Sequence, residues 1–112
     1  MKLSLHRTKD FNADFDQQCR WYLEQAGEEL AERFLDAVLV TLRLLSGQPD
    51  LGRRRKFRHP ALRNLRSFRV NAPFNRMLIF YRVTKDTLEA WRLMHGSRNL
   101  PHRLVEPPGS AV

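Results

Sequence analysis

Two stretches with helical spacing meet at a single glycine, and that junction limits the fold more than any other feature of the sequence. Phe11, Phe15, Cys19, Tyr22 and Ala26 recur at intervals of three and four residues, one stripe of an amphipathic helix. Thr8 stands ahead of them as an N-cap, Asp10 suits the positive end of the helix, and Gly27 is a natural stop. Glu28 and Glu29 open a second helix, with apolar positions at Leu30, Ala31, Phe34, Leu35, Val38, Leu39, Leu42 and Leu45. That stripe is wide enough to need more than one neighbour, and Ser46-Gly47-Gln48-Pro49 ends it. Helices joined this tightly fold back as a hairpin.

The rest reads as strand. Leu3 and Leu5 alternate with Lys2, Ser4 and His6, a short first strand. Past an arginine-rich connection over residues 53–60, strand-like runs cover 62–70, 76–83 and 88–95, parted by turn residues at 71–75 and 84–87. Met77-Leu78-Ile79-Phe80-Tyr81 is apolar on both faces, as a central strand would be. A two-residue turn at Lys85-Asp86 sets Arg82 opposite Glu89, Phe80 opposite Trp91, Leu78 opposite Leu93 and Arg76 opposite His95. That register sends Leu78, Phe80, Trp91 and Leu93 to the helices and Met77, Ile79, Tyr81, Arg92 and Met94 to the other face. The expected fold is α+β in the order β-α-α-β-β-β, an antiparallel sheet with a helical hairpin packed on one face. Residues 1–100 are expected to form the domain and 101–112 a flexible C-terminal tail.

Length and charge narrow the function. The 112 residues suit one domain, and the lone Cys19 allows no internal disulfide, which fits a reducing cytoplasm. No apolar run reaches the ~20 residues of a membrane span, and the first residues do not read as a signal peptide. A soluble cytoplasmic protein is expected. The net charge of +8 is unevenly placed: residues 1–50 carry six Lys/Arg against nine Asp/Glu, whereas 51–85 carry eleven Lys/Arg and no acid. Cations without acidic neighbours call for an outside anion: RNA, DNA or an acidic protein segment. No cofactor or metal is indicated, for there is no clustered Cys/His set and no glycine-rich phosphate loop.

Several short motifs then fall in a telling order. Trp21-Tyr22 lies late in the first helix, Ala31-Glu32-Arg33-Phe34 early in the second, and Pro49-Asp50-Leu51-Gly52 precedes the basic connection. Leu65-Arg66-Ser67-Phe68, Leu78-Ile79-Phe80-Tyr81-Arg82-Val83 and Leu93-Met94-His95-Gly96-Ser97-Arg98-Asn99-Leu100 follow. Together, over about residues 3–100, they resemble the RelE/ParE superfamily of toxins from type II toxin–antitoxin systems, and the last motif resembles its ParE-like branch. Asn99 departs from the aspartate common there. The resemblance implies a ParE-like toxin, associated with plasmid stabilization, that inhibits DNA gyrase and forms a hetero-oligomer with a cognate antitoxin. Its alternatives are a RelE-like, ribosome-dependent, metal-free mRNA endoribonuclease and a degenerate toxin that only binds its antitoxin.

A metal-free nuclease needs a base, an acid and cations around the phosphorane. His95 is the best-placed histidine, beside Arg76 in the expected register, with His59 second and Arg66, Arg92 and Tyr81 as the other candidates. Tyr81 reads more readily as a half-buried strand residue, and Cys19 as core. Arg54, Lys56, Arg58, Arg63, Arg66, Arg69, Arg76 and Arg98 are expected to form a basic face, displayed in part by arginines alternating along strands. A run of like charge is often only a solvated face; here the lack of any interrupting acid favours binding. Phe74, in a turn, is the candidate for stacking on a base, and Phe57 and Phe68 read as core. Trp21 and Leu23 lie off the first helix's stripe and are the candidates for antitoxin contact.

Overall fold

A computed structural model describes residues 2–96 and 100–108 of the chain. Helix α1 spans Lys9–Ala26; the Thr8 hydroxyl caps it by accepting the Phe11 N–H at 3.0 Å. It ends at Gly27, whose φ of 94° is costly for any residue with a Cβ. Helix α2, Glu28–Gly47, starts at the next residue and folds back on α1. Aromatic side chains lock the pair: the Phe34 ring lies 6.0 Å from Phe15, 4.8 Å from Tyr22 and 5.2 Å from Phe74. Phe74 is thus a core residue and not the exposed stacking platform that its turn position suggested.

The strands are β1 (Ser4–Arg7), β2 (Arg53–Arg54), β3 (Arg66–Arg69), β4 (Met77–Thr84) and β5 (Thr87–His95), in a five-stranded sheet of order β1-β5-β4-β3-β2. The α+β class and the helical hairpin are as expected. The sheet is mixed, not wholly antiparallel, because β1 runs parallel to β5. Strand β2 forms inside the arginine-rich connection by pairing with β3. The run expected over 62–70 is shorter: Leu62 closes a 3-10 turn, Pro60–Leu62, and Asn64 turns the chain with φ 63° before β3 begins.

The β4–β5 register agrees with expectation from the turn as far as Tyr81 opposite Ala90 and then shifts. Tyr81 pairs with Ala90 and Phe80 with Arg92, so Trp91 is an extra residue in a bulge, and His95 lies opposite Met77 instead of Arg76. The bulge falls where β1 stops. Beyond it α1 takes over the open edge of β5: the Thr8 N–H and hydroxyl donate to the Ala90 and Trp91 carbonyls, and the Leu93 N–H donates to Asp14. The expected sorting of faces is overturned for β4 and for Trp91, whereas past the extra residue, which reverses the alternation of β5, Leu93 and Met94 lie as expected. Met77, Ile79, Tyr81, Ala90 and Leu93 face the helices, whereas Leu78, Phe80 and Met94 face away.

That outer face is not open. Leu62, Leu65 and the half-buried Phe57 pack on it, joined by Leu104 from a short helix α3, Leu100–Leu104. Leu104, within the segment expected as a flexible tail, therefore helps close a second core and is 1% exposed. No helix among the described residues is long and apolar enough to cross a membrane.

Candidate functional site

The basic connection gathers into one cavity. Its path is fixed at the start by Tyr81, whose hydroxyl donates to the Pro49 carbonyl at 2.6 Å and accepts the Gly52 N–H at 2.8 Å. Burial pushes the Tyr81 phenol above its ordinary value, outweighing the Gly52 hydrogen bond and the nearby Arg66 charge that pull it down. Arg66 ties the same turn from the other side, donating to the Gly52 carbonyl at 2.8 Å and lying 3.4 Å from the Asp50 carboxylate. The antiparallel pair β2–β3 then sets Arg54 opposite Arg66. Arg55 turns inward, donating to the Ser67 hydroxyl at 2.8 Å with its guanidinium 5.9 Å from the Phe80 ring. Burial, then the charge of Arg53, holds Arg55 below the ordinary arginine value.

The result is a cavity of about 540 Å³ lined by Arg54, Arg55, Lys56, Arg58, Arg63 and Arg66, with Asp50 as the one carboxylate on its wall. His59 also lines it, and its Nδ1 accepts the Ala61 N–H at 3.1 Å, which leaves Nε2 as the donor nitrogen. Arg54, Lys56, Arg58, Arg63 and Arg66 are thus brought together, by a loop and the sheet's β2–β3 edge. The expected display of alternating strand arginines fails because the outer face of the sheet is occupied by the second core.

Of the expected basic set, Arg69 and Arg76 fall elsewhere. With His95 they line a separate cavity of about 360 Å³ at the other end of β3. His95 and Arg76 are near each other despite the shifted register, because the Gly96 N–H donates to the Arg76 carbonyl. Arg98 lies outside the described residues. The catalytic candidates are consequently not one constellation: His95 and Arg76 are together, Arg66 is on the first cavity, and Tyr81 is completely buried.

Arg92 is committed to the fold. It is 2% exposed; Nε and Nη2 donate to the two Asp14 oxygens at 2.7 and 3.0 Å, and Nη1 donates to the Leu104 and Glu106 carbonyls at 3.2 and 2.6 Å. Sequence reasoning missed Asp14, and also Arg55. A signal for the first was present, since Asp14 is a carboxylate three residues from Phe11 on the buried stripe and Arg92 a lone cation in an apolar strand.

Trp21 and Leu23 are both exposed, 52% and 50%, but do not share a groove. Trp21 lines a cavity of about 280 Å³ with Met94, His95 and Arg103; Leu23 lies in a shallow depression with Cys19, Ala31 and Leu35. Burial, then the charge of Asp16, pushes the Cys19 thiol up to about 11. Since the thiolate is the nucleophile, native Cys19 should be alkylated at pH 8 about a hundredfold more slowly than an ordinary thiol. Iodoacetamide labelling followed by mass spectrometry, native against urea-unfolded, measures this; equal rates would show that the thiol is not shielded. Among the described residues no group of three or more His, Cys, Asp or Glu could hold a metal ion.

Comparison with known proteins places this architecture. No curated protein matches the chain. Two solved structures share its fold. One, from the chromosomal ParDE toxin–antitoxin system of P. aeruginosa, has TM-score 0.69 and 19% identity over 86% of this chain and 98% of its own. The other, a conserved hypothetical protein of Helicobacter pylori, has TM-score 0.52 and 22% identity over 83% of this chain and 93% of its own. The family described as the ParE toxin of the type II toxin–antitoxin system parDE matches residues 5–100, and the chain belongs to that family.

Proposed function

We propose that this chain is the toxin of a type II pair, that it acts in the cytoplasm by inhibiting DNA gyrase without hydrolysing a substrate, and that a cognate antitoxin neutralises it. Membership of the ParE toxin family supports the class. The observation that carries the non-hydrolytic reading is the commitment of Tyr81 and Arg92: each makes its polar contacts inside the protein, leaving neither to meet a substrate. The exposed apolar side chains on the helical hairpin, Trp21 and Leu23 among them, are where an antitoxin segment gains most by burial.

A second reading has one observation in its favour. His95, Arg69 and Arg76 line a common cavity, an acid–base group beside two cations, as ribosome-dependent cleavage of mRNA requires. Purified toxin is expected to abolish supercoiling by gyrase at micromolar concentration and to leave no new cleavage in a toeprint of translating ribosomes. Unimpaired supercoiling discards the gyrase reading. Ribosomal cleavage that His95→Ala or Arg76→Ala abolishes establishes the nuclease.

A further inference from the structure

The cavity enclosed by the basic connection has no task in the fold that accounts for its charge. Arg54, Lys56, Arg58 and Arg63 are exposed and make no ion pair among the described residues, and Asp50, the only acid present, answers Arg66 alone. The ladder makes this worse, because directly paired residues share a face and the Arg54–Arg66 pair sets two cations side by side. A fold that sets two guanidinium groups side by side with one carboxylate between them is relieved when an external anion arrives. The cavity's volume of about 540 Å³ is in the range of ligand sites.

We infer that this cavity is a binding site for the phosphodiester backbone of a nucleic acid. Five of the six Lys/Arg side chains on its wall are arginines, whose planar fork matches two phosphate oxygens at once. Further cations lie beyond it, with Arg69 and Arg76 on the second cavity. Several guanidinium groups on one wall suit a polymer with evenly repeated phosphates. An acidic peptide would need apolar anchors as well, and of the large apolar side chains at this wall Leu62 and Leu65 are buried and Phe57 half-buried, leaving Val83 alone exposed. The inference is compatible with the gyrase reading, in which the toxin meets an enzyme holding DNA, but its test does not depend on gyrase.

Fluorescence anisotropy of labelled duplex DNA, duplex RNA and polyglutamate, titrated with the whole protein at several salt concentrations, tests it. The variant to compare carries Arg54→Gln, Arg58→Gln and Arg63→Gln, three exposed positions whose side chains make no hydrogen bond among the described residues. A control with Arg20→Gln, Arg33→Gln and Arg43→Gln removes the same charge from the helices. Each phosphate contact contributes about 0.9 to the slope of log K against log salt for DNA, so the first variant should flatten that slope by about 2.7 and weaken binding at least about tenfold. The control should match wild type, and circular dichroism confirms that both variants are folded. Tighter binding to DNA or to RNA names the source of the backbone. Equal losses in both variants, or binding to polyglutamate alone, overturn the site. Gyrase inhibition without any nucleic-acid binding also overturns it while sparing the target; binding without inhibition does the reverse.

Discussion

Asp14→Ala should lower the thermal midpoint by at least ~10 °C, because it strands a buried guanidinium. In the native fold the Asp14 carboxylate answers Arg92 Nε and Nη2 and also the Leu93 N–H, all shielded from water. Removing one partner of such a pair costs ~3–5 kcal/mol, since the remaining charge must stay desolvated or drag water inward. That is a large share of the ~5–15 kcal/mol that holds a domain together. Arg92→Lys should recover little, because one ammonium cannot span two carboxylate oxygens and two carbonyls on opposite sides of a plane. Replacing both partners with apolar residues should restore part of the loss, and the double-mutant cycle reads the coupling. Urea and thermal unfolding followed by circular dichroism measure wild type and each of these variants. A midpoint for Asp14→Ala within a few degrees of wild type would mean that the pair is solvated.

Gly52→Ala carries the other large effect, for a steric reason. Gly52 has φ −69° and ψ 146°, a backbone any residue adopts. A Cβ placed there, however, meets the Tyr81 hydroxyl and ring, with Cε1 at 2.6 Å and Cζ at 2.7 Å. Tyr81 is enclosed in the main core and cannot swing away, so the turn must leave, breaking the Gly52 and Pro49 hydrogen bonds. Overpacking and two orphaned backbone groups together cost about 2–5 kcal/mol. Tyr81→Phe alone should cost about 1–3 kcal/mol by leaving those groups unanswered. Added to Gly52→Ala it should cost less than it does alone, because the nearest clashing atom is gone. Denaturant midpoints decide it, and strict additivity of the two losses would exclude the contact. The displaced turn also carries Asp50 and the anchor of Arg66, so the basic cavity should widen with it.

Both effects turn on residues whose roles the sequence shows unequally. Helices α1 and α2 were legible because their starts and stops are chemical: Thr8 accepts a hydrogen bond and Gly27 takes a positive φ. The facing of β4 was not legible. Met77 to Tyr81 is apolar at every position, so a period of two carries no information about which side meets the helices. The bulge at Trp91 was hidden for a related reason. What places it is the end of β1 and the reach of Asp14 from α1, contacts between residues nearly 80 positions apart. The concentration of arginines was plain, but its closure into a cavity depends on a two-residue strand and a 3-10 turn, too short to leave a pattern. Trp21 and Leu23 were rightly read as off the stripe. Two positions apart on a helix is about 200°, which is why no single groove holds both.

One guanidinium has a wider consequence. Arg92 touches α1 through Asp14, the end of α3 through the Leu104 carbonyl and the chain beyond it through the Glu106 carbonyl, so it rivets the last described segment to the first helix across the rim of the sheet. A chain cut ahead of Leu100 is therefore not a trimmed version of the same domain. It lacks the plug over Leu78, Phe80 and Met94, and it keeps a buried cation with half its acceptors gone.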